Sequence, residues 1–162
     1  MNDDYFRYMH IPSALGHAFM DVFTRVEHAL KASGTYADGG AESVSPAWDR
    51  FANHIDAALR AIQDNDLQAA LHSLLSDPVR KQAKTGFIPL PLDFKQTETQ
   101  RAFHVIRAVR NNIVHGAKIQ MEGEKEHGRN ENLVFASLTV LKHASGLVES
   151  VRAKFEETAP RT

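Results

Sequence analysis

The chain contains no cysteine. Disulfide staples, thiolate nucleophiles and cysteine-ligated zinc are therefore excluded. It has no run approaching the ~18 consecutive apolar residues of a membrane span. The opening "MNDDYFRYMHIPS" is acidic and lacks the apolar core of a secretory signal. A cytoplasmic protein with no membrane partner is the expectation. Net charge is nearly absent too, at −1 over 162 residues, so bulk electrostatics would not coat a nucleic acid. Nine histidines are present, yet none falls into HExxH or HxH spacing, and neither a metal site nor a cofactor is expected.

What is present suits one globular domain spanning residues 1–162. The composition is 43% hydrophobic and 24% charged, and that length buries a single proper core. The charge is unevenly placed. Residues 77–120 hold eight cations (Arg80, Lys81, Lys84, Lys95, Arg101, Arg107, Arg110, Lys118) against Asp77, Asp93 and Glu98. That is a net +5, which leaves −6 for the remainder of a chain at −1. Such asymmetry points towards a polyanionic partner.

Periodicity reads as helix throughout. Residues 11–32 place Leu15, Phe19, Val22, Phe23, Val26 and Leu30 at helical spacing. A Gly/Ser-rich flexible loop near 33–45 follows. Ser45 then reads as an N-cap and Pro46 as the first residue of a second helix. Its buried stripe is Trp48, Phe51, Ile55 and Leu59, with Ala58 and Ile62 alongside. Asp66 is placed to cap a short third helix that runs to Leu75 and stops at Asp77-Pro78. Residues 78–96 hold three prolines and a glycine among apolar Phe87, Ile88, Leu90, Leu92 and Phe94, which predicts an irregular strap over the core. Thr97 or Thr99 caps a fourth helix reaching about Val114 and closed by Gly116. A polar loop near 117–130 leads to a last helix over about 131–157. No alternating strand is evident. The predicted fold is all-α: four main antiparallel helices in a bundle, plus short helical pieces.

The fourth helix carries the chemistry. On a helical wheel Ala102, Ile106, Val109 and Ile113 share one arc, the core stripe. His104, Arg107, Asn111 and His115 form a second stripe almost opposite. Arg110 belongs to neither and lies among Phe103, Ile106 and Val114. A guanidinium there requires a carboxylate, a phosphate or a wet crevice. Glu27, Asp49 or Asp56 could neutralise it within the chain. Otherwise a crevice between two subunits, completed by phosphate, would serve. His115 stands in the last turn, where it is either an ordinary C-terminal residue or a proton carrier beside a fixed guanidinium, a pair competent for phosphodiester chemistry.

The stretch "RNNIVHG", residues 110–116, resembles the R-x4-6-H motif of HEPN domains in its frequent "RNxxxHG" form. These are small all-α bundles, often dimeric, found in bacterial toxin–antitoxin, abortive-infection and CRISPR-linked ribonucleases. The resemblance proper covers seven residues; helix count and order extend it over most of the chain. It implies a metal-independent endoribonuclease. Arg110 would hold the scissile phosphate, His115 would exchange protons with the ribose 2′-OH or the leaving 5′-oxygen, and Asn111 would orient one of them. Arg107, Asn112, His104 and Lys118 would contact substrate. The product would be a 2′,3′-cyclic phosphate, and DNA would be inert. The resemblance further implies a homodimer whose composite site pairs two copies of the motif, with RNA as substrate and an antitoxin or regulatory protein as a further partner. Other HEPN domains are inactive modules that bind RNA, nucleotide or protein, and that is the alternative.

Overall fold

A computed structural model describes residues 4–7, 9–77, 79–84, 86–115 and 124–161. The fold is mostly helical. In chain order the elements are α1 (Asp4–Arg7), α2 (Ser13–Ser33), β1 (Ala37–Gly39), β2 (Val44–Pro46), α3 (Trp48–Arg60), α4 (Asn65–Ser76), β3 (Arg80–Ala83), β4 (Gly86–Pro89), α5 (Glu98–Val114), α6 (Glu124–Ala144) and α7 (Glu149–Glu157).

The apolar stripes that periodicity marked are the core. Phe19, Val26 and Leu30 of α2, Phe51 and Leu59 of α3, and Ala102, Phe103 and Ile106 of α5 are fully buried. Helix α2 packs on α6 and α7, α3 on α5, and α4 on both α5 and α6. An aromatic ladder joins three of them: Phe23 to Trp48 at 5.2 Å between ring centroids, and Trp48 to Phe103 at 5.6 Å. Phe6 of α1 lies directly over Gly16, where a Cβ would stand 2.5 Å from its ring. Only glycine admits that approach.

Several expected boundaries are corrected. The segment near 33–45 holds an antiparallel hairpin that pairs Ala37 with Pro46, Asp38 with Ser45 and Gly39 with Val44. Gly39 takes φ 114°, a conformation open to glycine. Ser45 and Pro46 are drawn into this hairpin instead of starting α3. The helix begins at Trp48 with Ala47 as an N-cap whose methyl side chain makes no capping bond, and the Ala47 amide donates to the Tyr36 carbonyl at 2.7 Å. Ala58, expected beside the buried stripe, is exposed. Helix α4 is capped by Asp64, not Asp66: its carboxylate accepts the Leu67 N–H at 2.8 Å. Asp66 sits instead in the helix's first turn, where its charge suits the dipole.

The strap at 78–96 is partly a second hairpin, with β3 and β4 paired from Arg80↔Pro89 to Ala83↔Gly86. Val79 and Leu90 at its ends are buried, whereas Phe94 is exposed and lies under the Arg101 guanidinium. Two antiparallel strand pairs thus qualify the all-α expectation. The polar stretch expected as a loop to residue 130 is helical from Glu124, where Asn130 is buried and donates to the Met9 carbonyl at 3.0 Å. The single last helix is instead two. It breaks at Ser145-Gly146, and α7 packs against α2, where Arg25 donates to the Phe155 carbonyl at 3.0 Å.

Helix α5 is anchored at its start by two sets of hydrogen bonds. Thr97 and Gln100 form a reciprocal capping box, with the Gln100 N–H donating to Thr97 Oγ1 at 3.1 Å and the Thr97 N–H to Gln100 Oε1 at 2.9 Å. In the first turn the Thr99 N–H donates to Asp56 Oδ1 of α3 at 3.2 Å. Arg60 Nη2 meets the other oxygen of Asp56 at 2.8 Å. Burial raises the Asp56 pKa, but the bonds from Arg60 and Thr99 outweigh it, and the carboxyl is held below its ordinary value.

Candidate functional site

The polar stripe of α5 opens onto a cleft of about 360 Å³. His104, Arg107, Asn111 and His115 all line it, with Ala108 between them. Their i, i+3, i+7 and i+11 spacing puts them on one face, and the capping box fixes where that face begins. The opposite wall comes from the second hairpin: Lys81 of β3, then Leu90 and Pro91 after β4. Among the described residues no carboxylate lines the cleft. Two permanent cations, two imidazoles and an amide face the same space, an arrangement that attracts an anion.

Asn112 holds the two walls together. It is only 6% exposed, and its Nδ2 donates to the Arg80 carbonyl at 2.9 Å. Its amide N–H is therefore engaged with the protein itself, although the residue borders the cleft. His115 is the C-cap of α5, its backbone N–H donating to the Asn111 carbonyl at 3.0 Å, and its side chain is exposed. Gly116 and Lys118 lie outside the described residues.

Arg110 stands on the other shoulder of α5 and does not line the cleft. Its guanidinium carbon lies 5.5 Å from the centroid of the Phe23 ring. Its Nε is buried without a hydrogen-bond partner. Among the described residues it forms no ion pair: Asp56 is occupied by Arg60 and Thr99, and neither Glu27 nor Asp49 pairs with it. Among the described residues, neutralisation of Arg110 by Glu27, Asp49 or Asp56 is thus not what the structure shows. Among the described residues its one hydrogen bond runs from Nη1 to Asn111 Oδ1 at 3.0 Å, so Asn111 touches the cleft and Arg110 at once.

No family model matches this chain, nor does any curated protein or solved structure. The likeness to the HEPN motif therefore stands on the residues that carry it. Among the described residues no group of three or more His, Asp and Glu side chains is arranged to hold a metal ion, and no helix is long and apolar enough to cross a membrane.

The cleft gained four residues that sequence reasoning did not assign to a site: Lys81, Leu90, Pro91 and Ala108. Lys81 belongs to the basic segment, and "KTG" before an apolar run is the kind of signal that marks a hairpin. A second groove of about 530 Å³ between α4 and the start of α5 is larger but chemically weaker. Its Arg60 is committed to Asp56, and Glu98 offsets the remaining charge.

Proposed function

We propose that this chain is a HEPN-type, metal-independent endoribonuclease with a HEPN-like helical bundle, and that the α5 cleft receives the RNA backbone. The observation that carries the reading is the convergence of Arg107, Asn111, His115 and Lys81 on one cleft that, among the described residues, no carboxylate lines. His115 exchanges a proton with the 2′-OH or the leaving 5′-oxygen, and attack by the 2′-oxygen yields a 2′,3′-cyclic phosphate. Arg107 and His104 hold neighbouring backbone, and the unpaired Arg110 guanidinium stabilises charge on the scissile phosphate.

Arg110 also motivates the dimer. Its buried Nε lacks a partner, and Val114, one turn further along the same face, is 43% exposed. A second copy packed on this shoulder covers Val114 and brings each Arg110 towards its partner's cleft, so that the site is composite. A cytoplasmic toxin-like or defence role, held in check by an antitoxin or regulatory protein, accords with this chemistry.

One observation favours a second reading. Arg110 lies outside the cleft that His115 lines, which suits a non-catalytic module that binds RNA. Cleavage of a mixed RNA in EDTA by the wild type and by His115→Ala, purified side by side, separates the two. Wild-type cleavage with cyclic-phosphate ends, lost in the variant, supports the nuclease. Binding without cleavage by either protein selects the module. Equal cleavage by both removes His115 from the mechanism.

A further inference from the structure

Lys81 enters the cleft from the wall facing α5, and two features fix its place. The first is the β3–β4 pairing, in which Lys81 stands opposite Ile88. Successive strand residues point to opposite faces, so Arg80, its neighbour, does not line the cleft while Lys81 does. The second is the Asn112 amide, which donates to the Arg80 carbonyl from within the core. The bond is partly buried and its donor residue is 6% exposed, which limits competition from water. It ties the strand that carries Lys81 to the helix that carries Arg107 and His115.

The walls differ in character. Beside the cations, Leu90, Pro91 and Ala108 present apolar surface to the same space. A volume of about 360 Å³ lies at the small end of the ~300–1,000 Å³ range of ligand clefts. It is the size of a single nucleotide unit. A single strand offers what both walls take: phosphates for the cations and an unstacked base face for the apolar surface.

We infer that Lys81 is a second phosphate contact, gripping the single-stranded RNA backbone beside the phosphate held at Arg107 and His115, and that Asn112 is the positioning residue that keeps Lys81 there. The inference rests on the assignment of the cleft to RNA. It adds a residue from outside the helical motif, and it makes the hairpin a working part of the site.

The test is binding of a fluorescent 2′-O-methyl RNA oligomer, which lacks the nucleophile, to the full chain in EDTA over a series of salt concentrations. Each phosphate contact on a single strand contributes about 0.7 to the slope of log K against log salt. Lys81→Ala is expected to weaken binding and reduce the slope by about 0.7. Lys81→Arg should restore both, and Arg80→Ala should change neither. In an Asn112→Ala background, removing Lys81 should cost little more, because its place is already lost. Wild-type slope in Lys81→Ala, alongside weakened binding in Arg107→Ala, overturns this inference and leaves the cleft reading intact. An equal loss in Arg80→Ala also overturns it, since surface charge alone would then account for the effect. A full Lys81 increment in the Asn112→Ala background removes the positioning role. No binding by the wild type at low salt overturns the inference and the cleft reading together.

Discussion

Arg110 donates to Asn111 through Nη1 at 3.0 Å while its Nε lies buried without a partner over Phe23. One hydrogen bond between neighbours on α5 therefore links the unpaired guanidinium to the cleft on the other side of Asn111. Its consequence is testable as a contrast between stability and activity.

Arg110→Ala strands no carboxylate, because none pairs with it among the described residues. The expected stability change in urea unfolding is within about 1 kcal/mol, mostly lost packing of the aliphatic stem on Phe23. The expected loss of RNA turnover is about 100- to 1,000-fold. A loss of several kcal/mol in stability would mean that an internal carboxylate is neutralised after all.

His115→Ala should leave the melting curve near wild type, since the side chain is exposed at the C-cap. Its turnover should fall by about 100- to 10,000-fold, the usual worth of a positioned proton carrier. Product-end analysis on the residual activity should show fewer cyclic phosphates. Unchanged turnover would place the proton carrier elsewhere.

Asp56 links α3 to the first turn of α5, and its carboxyl is held below the ordinary value. A lowered folded-state pKa contributes stability that is complete above the unfolded value of about 3.9 and disappears as pH falls through the folded value. Unfolding free energy should therefore drop on acidification below about pH 4, and Asp56→Asn should flatten part of that drop. Asp56→Ala should cost about 1–3 kcal/mol at neutral pH, because the buried Thr99 N–H loses its acceptor. Denaturant titrations at pH 7 and pH 3 measure both effects.

Thr97→Ala removes one half of the α5 capping box and should destabilise by about 1 kcal/mol. The polar stripe of α5 begins its register at this cap, so hydrogen exchange should quicken first in residues 98–101. Protection unchanged there would show that Asp56 alone fixes the start of the helix.

Gly16→Ala forces a Cβ to within 2.5 Å of the Phe6 ring. The ring must leave its site, and the expected cost is about 1–3 kcal/mol, as for other overpacked positions. Combining it with Phe6→Ala should recover part of the loss. A fully additive double variant would show that the two do not compete for the same space.

The sequence by itself determined the buried faces of α2, α3 and α5 and the polar stripe of α5. Helical periodicity is a local property, so Phe19, Phe51 and Ile106 declared their burial, and the stripe of His104, Arg107, Asn111 and His115 declared a common face. Where non-local hydrogen bonds compete with local signals, the tertiary structure decided. Ser45 and Pro46 carry good helix-start chemistry, yet strand pairing with Asp38 and Ala37 claims them. The residues of β3 and β4 are too few to show a period, and their ladder exists only between the two strands. Lys81 was legible as a charge, but its place in the cleft follows from the Asn112–Arg80 bond across 32 positions of chain. Arg110 was legible as a misfit on the helical wheel. That it pairs with neither Glu27, Asp49 nor Asp56 was settled by packing, because Arg60 and Thr99 satisfy Asp56 first.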